Sequence, residues 1–160
     1  MQNLQQNTIQ QTDVMIIGAG PSGSSAAALL RQKGFKVCII EKQHFPRFSI
    51  GESLLPQCMV FLGEAGLLHT VVRNHVEKCA FQFKNGAAFL RGKQRSFYDF
   101  TQKFSEGPGT TWQVRRADFD RLLAEQAQAL GTDIRFGHEV IAVDVETAQP
   151  ILTIQPEQGD

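Results

Sequence analysis

Asp13-Val14-Met15-Ile16-Ile17-Gly18-Ala19-Gly20-Pro21-Ser22-Gly23 decides the fold, together with the Ala-rich Ser24 to Lys33 and the apolar Phe35 to Ile40 that lead to Glu41. A short run of apolar residues such as Val14 to Ile17 suits a strand buried on both faces of a parallel sheet. Ser24 to Lys33, with Ala26, Ala27, Ala28, Leu29 and Leu30, reads as a helix stopped by Gly34. Phe35 to Ile40 reads as a second strand, ended by the acid Glu41. Between the first strand and the helix stands G-x-G-x-x-G, in the setting that the motif needs to bind a dinucleotide. Gly18 permits a tight turn, Gly20 lets backbone approach a pyrophosphate, and Gly23 lets helix and strand pack closely. The pyrophosphate then meets the unpaired N–H groups and positive end of the helix. Glu41, eighteen positions past Gly23, can accept hydrogen bonds from a ribose diol. The bland alternative is a glycine turn that binds nothing.

The rest of the composition excludes more than it specifies. A chain of 160 residues is the length of one domain. Sixteen basic and sixteen acidic side chains give zero formal net charge, which argues against a nucleic-acid partner held by bulk charge. Cys38, Cys58 and Cys79 are odd in number and lack metal spacing, as reduced thiols of a cytoplasmic protein would. His44, His69, His75 and His138 are scattered, so no metal site is expected. No apolar run reaches the roughly 20 residues that span a bilayer. The Gln- and Asn-rich residues 1–12 read as a disordered tail, and residues 13–160 as one domain.

Beyond Glu41 the pattern is less regular. Lys42 to Leu55 reads as a loop, and Gln57 to Ala65 as a helix stopped by Gly66. Phe81 to Lys84 and Ala87 to Arg91 flank Asn85-Gly86, the favoured pair for a two-residue type I′ turn, and so predict a β-hairpin there. Ser96 to Thr101 and Thr110 to Val114 are strand candidates. Ala117 to Leu130 has helical spacing and ends at Gly131. Asp133 to Phe136, Glu139 to Glu146 and Ile151 to Gln155 read as short strands.

Three separated segments resemble one family in the right order. Pro21-Ser22 within the glycine turn and Glu41-Lys42 after the second strand resemble the large FAD monooxygenase family, of the p-hydroxybenzoate hydroxylase-like kind. Phe45-Pro46-Arg47-Phe48-Ser49-Ile50-Gly51-Glu52-Ser53-Leu54-Leu55-Pro56 is similar to a segment of the flavin-dependent halogenases of phenols and pyrroles, and of FAD oxidoreductases of pigment and aryl-polyene pathways. Phe83-Lys84-Asn85-Gly86-Ala87 resembles the hairpin of the halogenases' active lysine. Trp112 to Asp120 resembles their strand-to-helix junction beside the flavin. The fold implied is α/β, a Rossmann-type FAD-binding domain with a small β-hairpin and meander excursion. Within it Gly18, Ala19, Gly20, Pro21, Ser22 and Gly23 would hold the pyrophosphate, and Glu41 the adenosine ribose, with Lys42 beside it. Arg47 would lie along the FAD, and Gly51, Glu52 and Ser53 would approach the flavin. Gln113 and Arg116 would contact it from the helix start, and the backbone of Val140 would meet the adenine. The competing reading pairs Arg47 and Arg116 with acids such as Asp118 or Asp120, makes Gln113 an ordinary strand residue, and leaves Lys42 a solvated charge.

The resemblance also implies an activity. Reduced FAD, supplied by a separate flavin reductase, would turn oxygen and a halide ion into hypohalous acid. Lys84 would hydrogen-bond that acid or become a haloamine, and pass the halogen to an aromatic or polyene-type small molecule. Against this stands a strand-end lysine pointing into water, with Lys78 as the candidate if the register slips. An NAD(P)H-dependent monooxygenase or reductase remains open, and so does a non-catalytic flavin-binding module. The family is more than twice this length. The chain is therefore expected to lack the substrate-binding part, and Gly159-Asp160 falls too early to be the family's late FAD motif.

Overall fold

A computed structural model describes residues 9–72 and 76–157. Positions 1–8 of the expected tail, His75 and Gly159-Asp160 lie outside the described residues.

The first unit is the one expected. Strand β1 (Val14–Ile17) leads through the glycine turn into helix α1 (Pro21–Gln32) and then strand β2 (Val37–Ile40). β1 and β2 are parallel, with Val14 opposite Val37 and Ile17 opposite Ile40. The helix begins at Pro21, not at Ser24, so Pro21-Ser22-Gly23 forms its first turn. Proline favours that position because its fixed φ suits a helix and its missing N–H would be unpaired there anyway. Proline opens the second helix too: α2 is Pro56–Glu64, not Gln57 to Ala65.

The hairpin is not where Asn-Gly placed it. Strand β3 (Gln82–Lys84) and strand β4 (Gly86–Arg91) lie in different sheets, with Asn85 between them. β4 pairs antiparallel with β5 (Gln94–Asp99), and the two-residue turn is Gly92-Lys93. Gly92 has φ 60°, and Lys93 is not in the left-handed region. Positive φ at the first central residue alone is the pattern of a type II′ turn. Gly86 serves closeness, since a Cβ there would sit 2.7 Å from the Tyr98 carbonyl oxygen. β3 pairs antiparallel with β6 (Thr111–Gln113), Lys84 facing Thr111.

Helix α3 (Arg116–Ala129) returns the chain to the first unit. It feeds β7 (Asp133–Arg135), which joins the parallel sheet in the order β1-β2-β7. A final antiparallel pair, β8 (His138–Asp144) and β9 (Ile151–Pro156), has a register shift between Val140 and Ala142. α3 serves two cores at once. Its Phe119, Leu122 and Leu123 pack with Met59, Leu62 and Leu67, and its Ala124 and Ala127 pack with Ala27, Val37, Ile39 and Ile134. Burying a side chain of the size of Phe119 or Leu123 stabilises by roughly 1.5–3 kcal/mol. Among the described residues no helix is long and apolar enough to cross a membrane.

Two glycines of opposite kind test the packing. Gly23→Ala should unfold the first unit, because its Cβ would sit 2.0 Å from the Gly18 carbonyl oxygen. Gly63, inside α2, has nothing within 4 Å of its Cβ position. Gly63→Ala should raise stability by up to about 1 kcal/mol through a less flexible unfolded chain. Thermal unfolding of the two variants checks both signs.

The three cysteines are free thiols. Burial, and then the charge of Asp133, push the Cys38 thiol up from 9.0 to about 11. Cys79 is raised too, chiefly by burial. At pH 8 roughly one Cys38 in a thousand is therefore the reactive thiolate. In the native protein a thiol reagent should modify half-buried Cys58 first and reach Cys38 only on unfolding, as peptide mass mapping would show. A thiol pKa raised on folding contributes stability below the unfolded value and loses it as pH rises through the folded one. Stability should thus fall between about pH 9 and pH 11. Urea unfolding should show that fall to be shallower in Cys38→Ala.

Candidate functional site

The glycine turn is built to receive an anion. Gly18 donates its N–H to the Ile40 carbonyl at 2.8 Å, with a φ of 94° that disfavours any side chain. Gly20 is the extended N-cap of α1 and offers no side-chain cap bond. The N–H groups of Ser22 and Gly23 therefore open the helix without an intrahelical partner, at its positive end. Ser24, fully buried, was not singled out from the sequence. Its N–H bonds the Gly20 carbonyl at 2.9 Å and its hydroxyl donates to the Ala19 carbonyl at 3.0 Å. Both bonds tie the turn to the helix start.

Glu41 closes the site at the end of β2. Its backbone bonds Arg135 on one side and His138 on the other. Its buried carboxylate accepts from the Ala19 N–H at 2.8 Å and the Gln43 N–H at 2.9 Å. A carboxylate has about four acceptor positions, so two bonds leave capacity for ribose hydroxyls.

The two arginines meet at an acid that the sequence reading left among several. Asp120, fully buried on α3, receives Arg116 at 2.7 and 2.9 Å through both carboxylate oxygens. Arg47 approaches the same carboxylate at 3.4 Å and Glu41 at 3.7 Å. Asp118, the other candidate, pairs instead with Arg115 at 2.7 Å. The bonds from Asp120 raise the pKa of Arg116 further, helped by the charges of Asp120 and Glu52, so its guanidinium stays charged. Arg116 also donates to the Ile50 carbonyl. A Cβ at Gly51 would lie 3.0 Å from Arg116, and one at Gly20 would lie 3.6 Å from Arg47. Arg47 Nε is buried with no hydrogen-bond partner among the described residues. A charged donor left unpaired beside a glycine turn and a helix N-terminus fits a pyrophosphate group.

The loop from Gly51 leads from this cluster to Lys84. The Val114 N–H bonds the Glu52 carbonyl at 2.8 Å, the Leu54 N–H bonds the Trp112 carbonyl at 3.2 Å, and Ser53 pairs with Gln113. β6 thus has the Glu52 to Leu54 segment on one side and β3 on the other. The Lys84 amine donates to the Ser53 hydroxyl and to the Leu54 carbonyl, the latter at 3.2 Å, and lies 5.1 Å from the Phe100 ring centre. It does not simply project into water. Lys42 does conform to the bland reading, in an exposed ion pair with Glu139 at 3.3 Å. Val140 stands on β8 at the register shift. Among the described residues no group of three or more His, Cys, Asp or Glu is placed to hold a metal.

Parallel strands around a glycine turn, with a helix start and the Arg47 guanidinium beside the turn, define a dinucleotide-binding α/β protein. The chain belongs to the FAD-binding domain family, which it matches over residues 11–159, and FAD is its cofactor. It is 40% identical over 132 residues to the flavin-dependent halogenase armH3 of Armillaria mellea, covering 81% of this chain and 25% of that one. Among solved structures, a flavoprotein/dehydrogenase from Cytophaga hutchinsonii superposes with a TM-score of 0.80 at 45% identity, covering 92% of this chain and 36% of that one. The myxobacterial chondrochloren halogenase CndH superposes with a TM-score of 0.77 at 30% identity, covering 93% and 34%. The chain spans about a quarter of the length of the curated relatives it matches.

Asp120 supplies the electrostatic test. Asp120→Ala should cost roughly 3–5 kcal/mol, because two nearly buried guanidiniums lose their counter-charge. Asp118→Ala, which frees a mostly exposed Arg115, should cost less than about 1 kcal/mol. Urea denaturation of both variants measures the difference.

Proposed function

We propose that this chain forms the FAD-holding part, over residues 13–160, of an FAD-dependent, halogenase-like oxidoreductase of the cytoplasm. It would act on an electron-rich aromatic or polyene-pathway small molecule. The observation that carries the reading is the Lys84 amine, held on β3 against the Ser53 and Leu54 end of the loop whose other end touches Arg116. In the proposed site the N–H groups at the start of α1, with Arg47, hold the pyrophosphate. Glu41 takes the ribose hydroxyls, and the backbone of Val140 meets the adenine. Gly51, Glu52, Ser53, Gln113 and Arg116 lie toward the flavin ring. Reduced FAD, delivered by a separate reductase, supplies the two electrons with which oxygen converts a halide into hypohalous acid and water.

Lys84 then acts on that acid. As an ammonium it donates a hydrogen bond to the acid's oxygen, and as a free amine it attacks the halogen and releases water. Either route leaves an electrophilic halogen for an electron-rich ring, whose displaced proton goes to solvent. The similarity to a flavoprotein/dehydrogenase favours a second reading, in which NAD(P)H reduces the bound FAD directly.

Products formed from chloride and bromide, with reduced FAD and a panel of phenols and pyrroles, decide between the readings by mass spectrometry. Halogenated products are expected. Lys84→Ala should abolish them while leaving FAD content unchanged, and Lys78→Ala should keep them. Lys84→Arg should fail if the amine route operates, because a guanidinium stays protonated. Hydroxylated or reduced products with brisk NADPH oxidation would establish the second reading. Gly20→Val should abolish FAD retention under either, its side chain filling the space where the phosphate approaches.

A further inference from the structure

We propose that Ser53 is a positioning residue for the Lys84 amine, holding the nitrogen in place whether or not it carries its extra proton. Its catalytic significance rests on the function proposed above, and the contact itself does not.

A lysine on a strand commonly reaches into water, where its four side-chain torsions stay free. Fixing such a chain costs roughly 1.5–2 kcal/mol of rotamer entropy. Lys84 is fixed at both ends. Its backbone is paired with Thr111 of β6, and its amine crosses β6 to the segment on the other side. That segment is itself tied down by the bonds from Val114 to Glu52 and from Leu54 to Trp112. The buried ring of Phe100 adds a cation–π attraction.

The two oxygen partners are not equivalent. The Leu54 carbonyl can only accept, so it holds the amine through an N–H. The Ser53 hydroxyl can accept an N–H from an ammonium, or donate its O–H to the lone pair of a neutral amine. Lys84 passes between these two forms if it both donates hydrogen bonds and acts as a nucleophile. Ser53 is the hydrogen-bond partner able to stay bonded to the nitrogen in either form, accepting an N–H from the neutral amine when its lone pair attacks. It touches Lys84 and acts through it. Threonine preserves the hydroxyl, whereas alanine leaves the nitrogen held by the Leu54 carbonyl and the Phe100 ring.

Trace acylation of lysines, read by peptide mass spectrometry, measures the contact without any turnover. Lys84 in Ser53→Ala should acylate at least about fivefold faster relative to Lys93 and Lys103, as expected for loss of one hydrogen bond to a charged group. Ser53→Thr should restore the original rate. An unchanged Lys84 rate in Ser53→Ala, or no recovery in Ser53→Thr, overturns the proposal. In turnover assays of the whole protein, Ser53→Ala should lower kcat for halogenation about tenfold. The loss should persist when kcat is expressed per bound FAD, and Ser53→Thr should recover most of it. Altered acylation with unchanged kcat would overturn the positioning role. If the unmutated protein makes no halogenated product, the function proposed above fails, while the acylation series still decides the contact.

Discussion

One buried carboxylate organises this molecule. Asp120 has no exposure to solvent, yet it lies against two guanidiniums, one from the loop after β2 and one from the first turn of α3. A carboxylate without such partners would pay a desolvation penalty of several kcal/mol, and so would each arginine. Glu41 adds a second acid on the other side of Arg47, so the cluster is balanced, two acids against two bases. Its geometry is set from outside, because α3 is anchored on both sides of Asp120 by apolar neighbours. Phe119 and Leu123 fix the helix, the helix fixes Asp120, and Asp120 holds Arg47 beside Gly20 and Arg116 beside Gly51.

β6 extends that order to Lys84. Three residues long, it has β3 on one edge and the Glu52 to Leu54 segment on the other. The loop that begins beside Arg47 therefore ends under the Lys84 amine. The two halves of the candidate site, an anion cradle and a held amine, are joined through one short ladder of backbone hydrogen bonds. Side-chain chemistry at either end can vary while that ladder keeps their spacing.

The parts legible in the sequence were those with local causes. Gly18, Gly20 and Gly23 sit between an apolar run and an alanine helix; Gly18 takes the positive φ of the tight turn, and Gly23 leaves no room for a Cβ. Glu41 was readable because β2 has to end where the turn begins. Asn85-Gly86 misled because the pair has a strong local preference for a tight turn, whereas β3 found its partner in β6 and β4 turned back at Gly92-Lys93 to pair with β5. The real turn, Gly92-Lys93, is a less distinctive dipeptide. Pro21 reads as part of the glycine turn and Pro56 falls just before the expected helix, whereas each opens a helix, as proline readily does. Asp120 could be singled out only by its burial, since Asp118 two residues earlier has the same chemistry and faces solvent-exposed Arg115. The hold of Lys84 on Ser53 was not legible, because it crosses a strand between residues 31 positions apart.

The parallel sheet has a kinetic side as well. β4 and β5 are joined by two residues and can zip early, as local hairpins do on the microsecond scale. β2 and β7 pair residues 95 positions apart, such as Cys38 and Asp133, and must await closure of a long loop. Glu41 hydrogen-bonds to Arg135 and His138 just beyond that late seam. The nucleotide pocket therefore sits beside a pairing of long sequence separation. FAD binds the closed form and not the unfolded chain, so it stabilises by mass action the seam that closes most slowly. Cofactor supply in the cell then governs how rarely the folded chain re-exposes its strand edges.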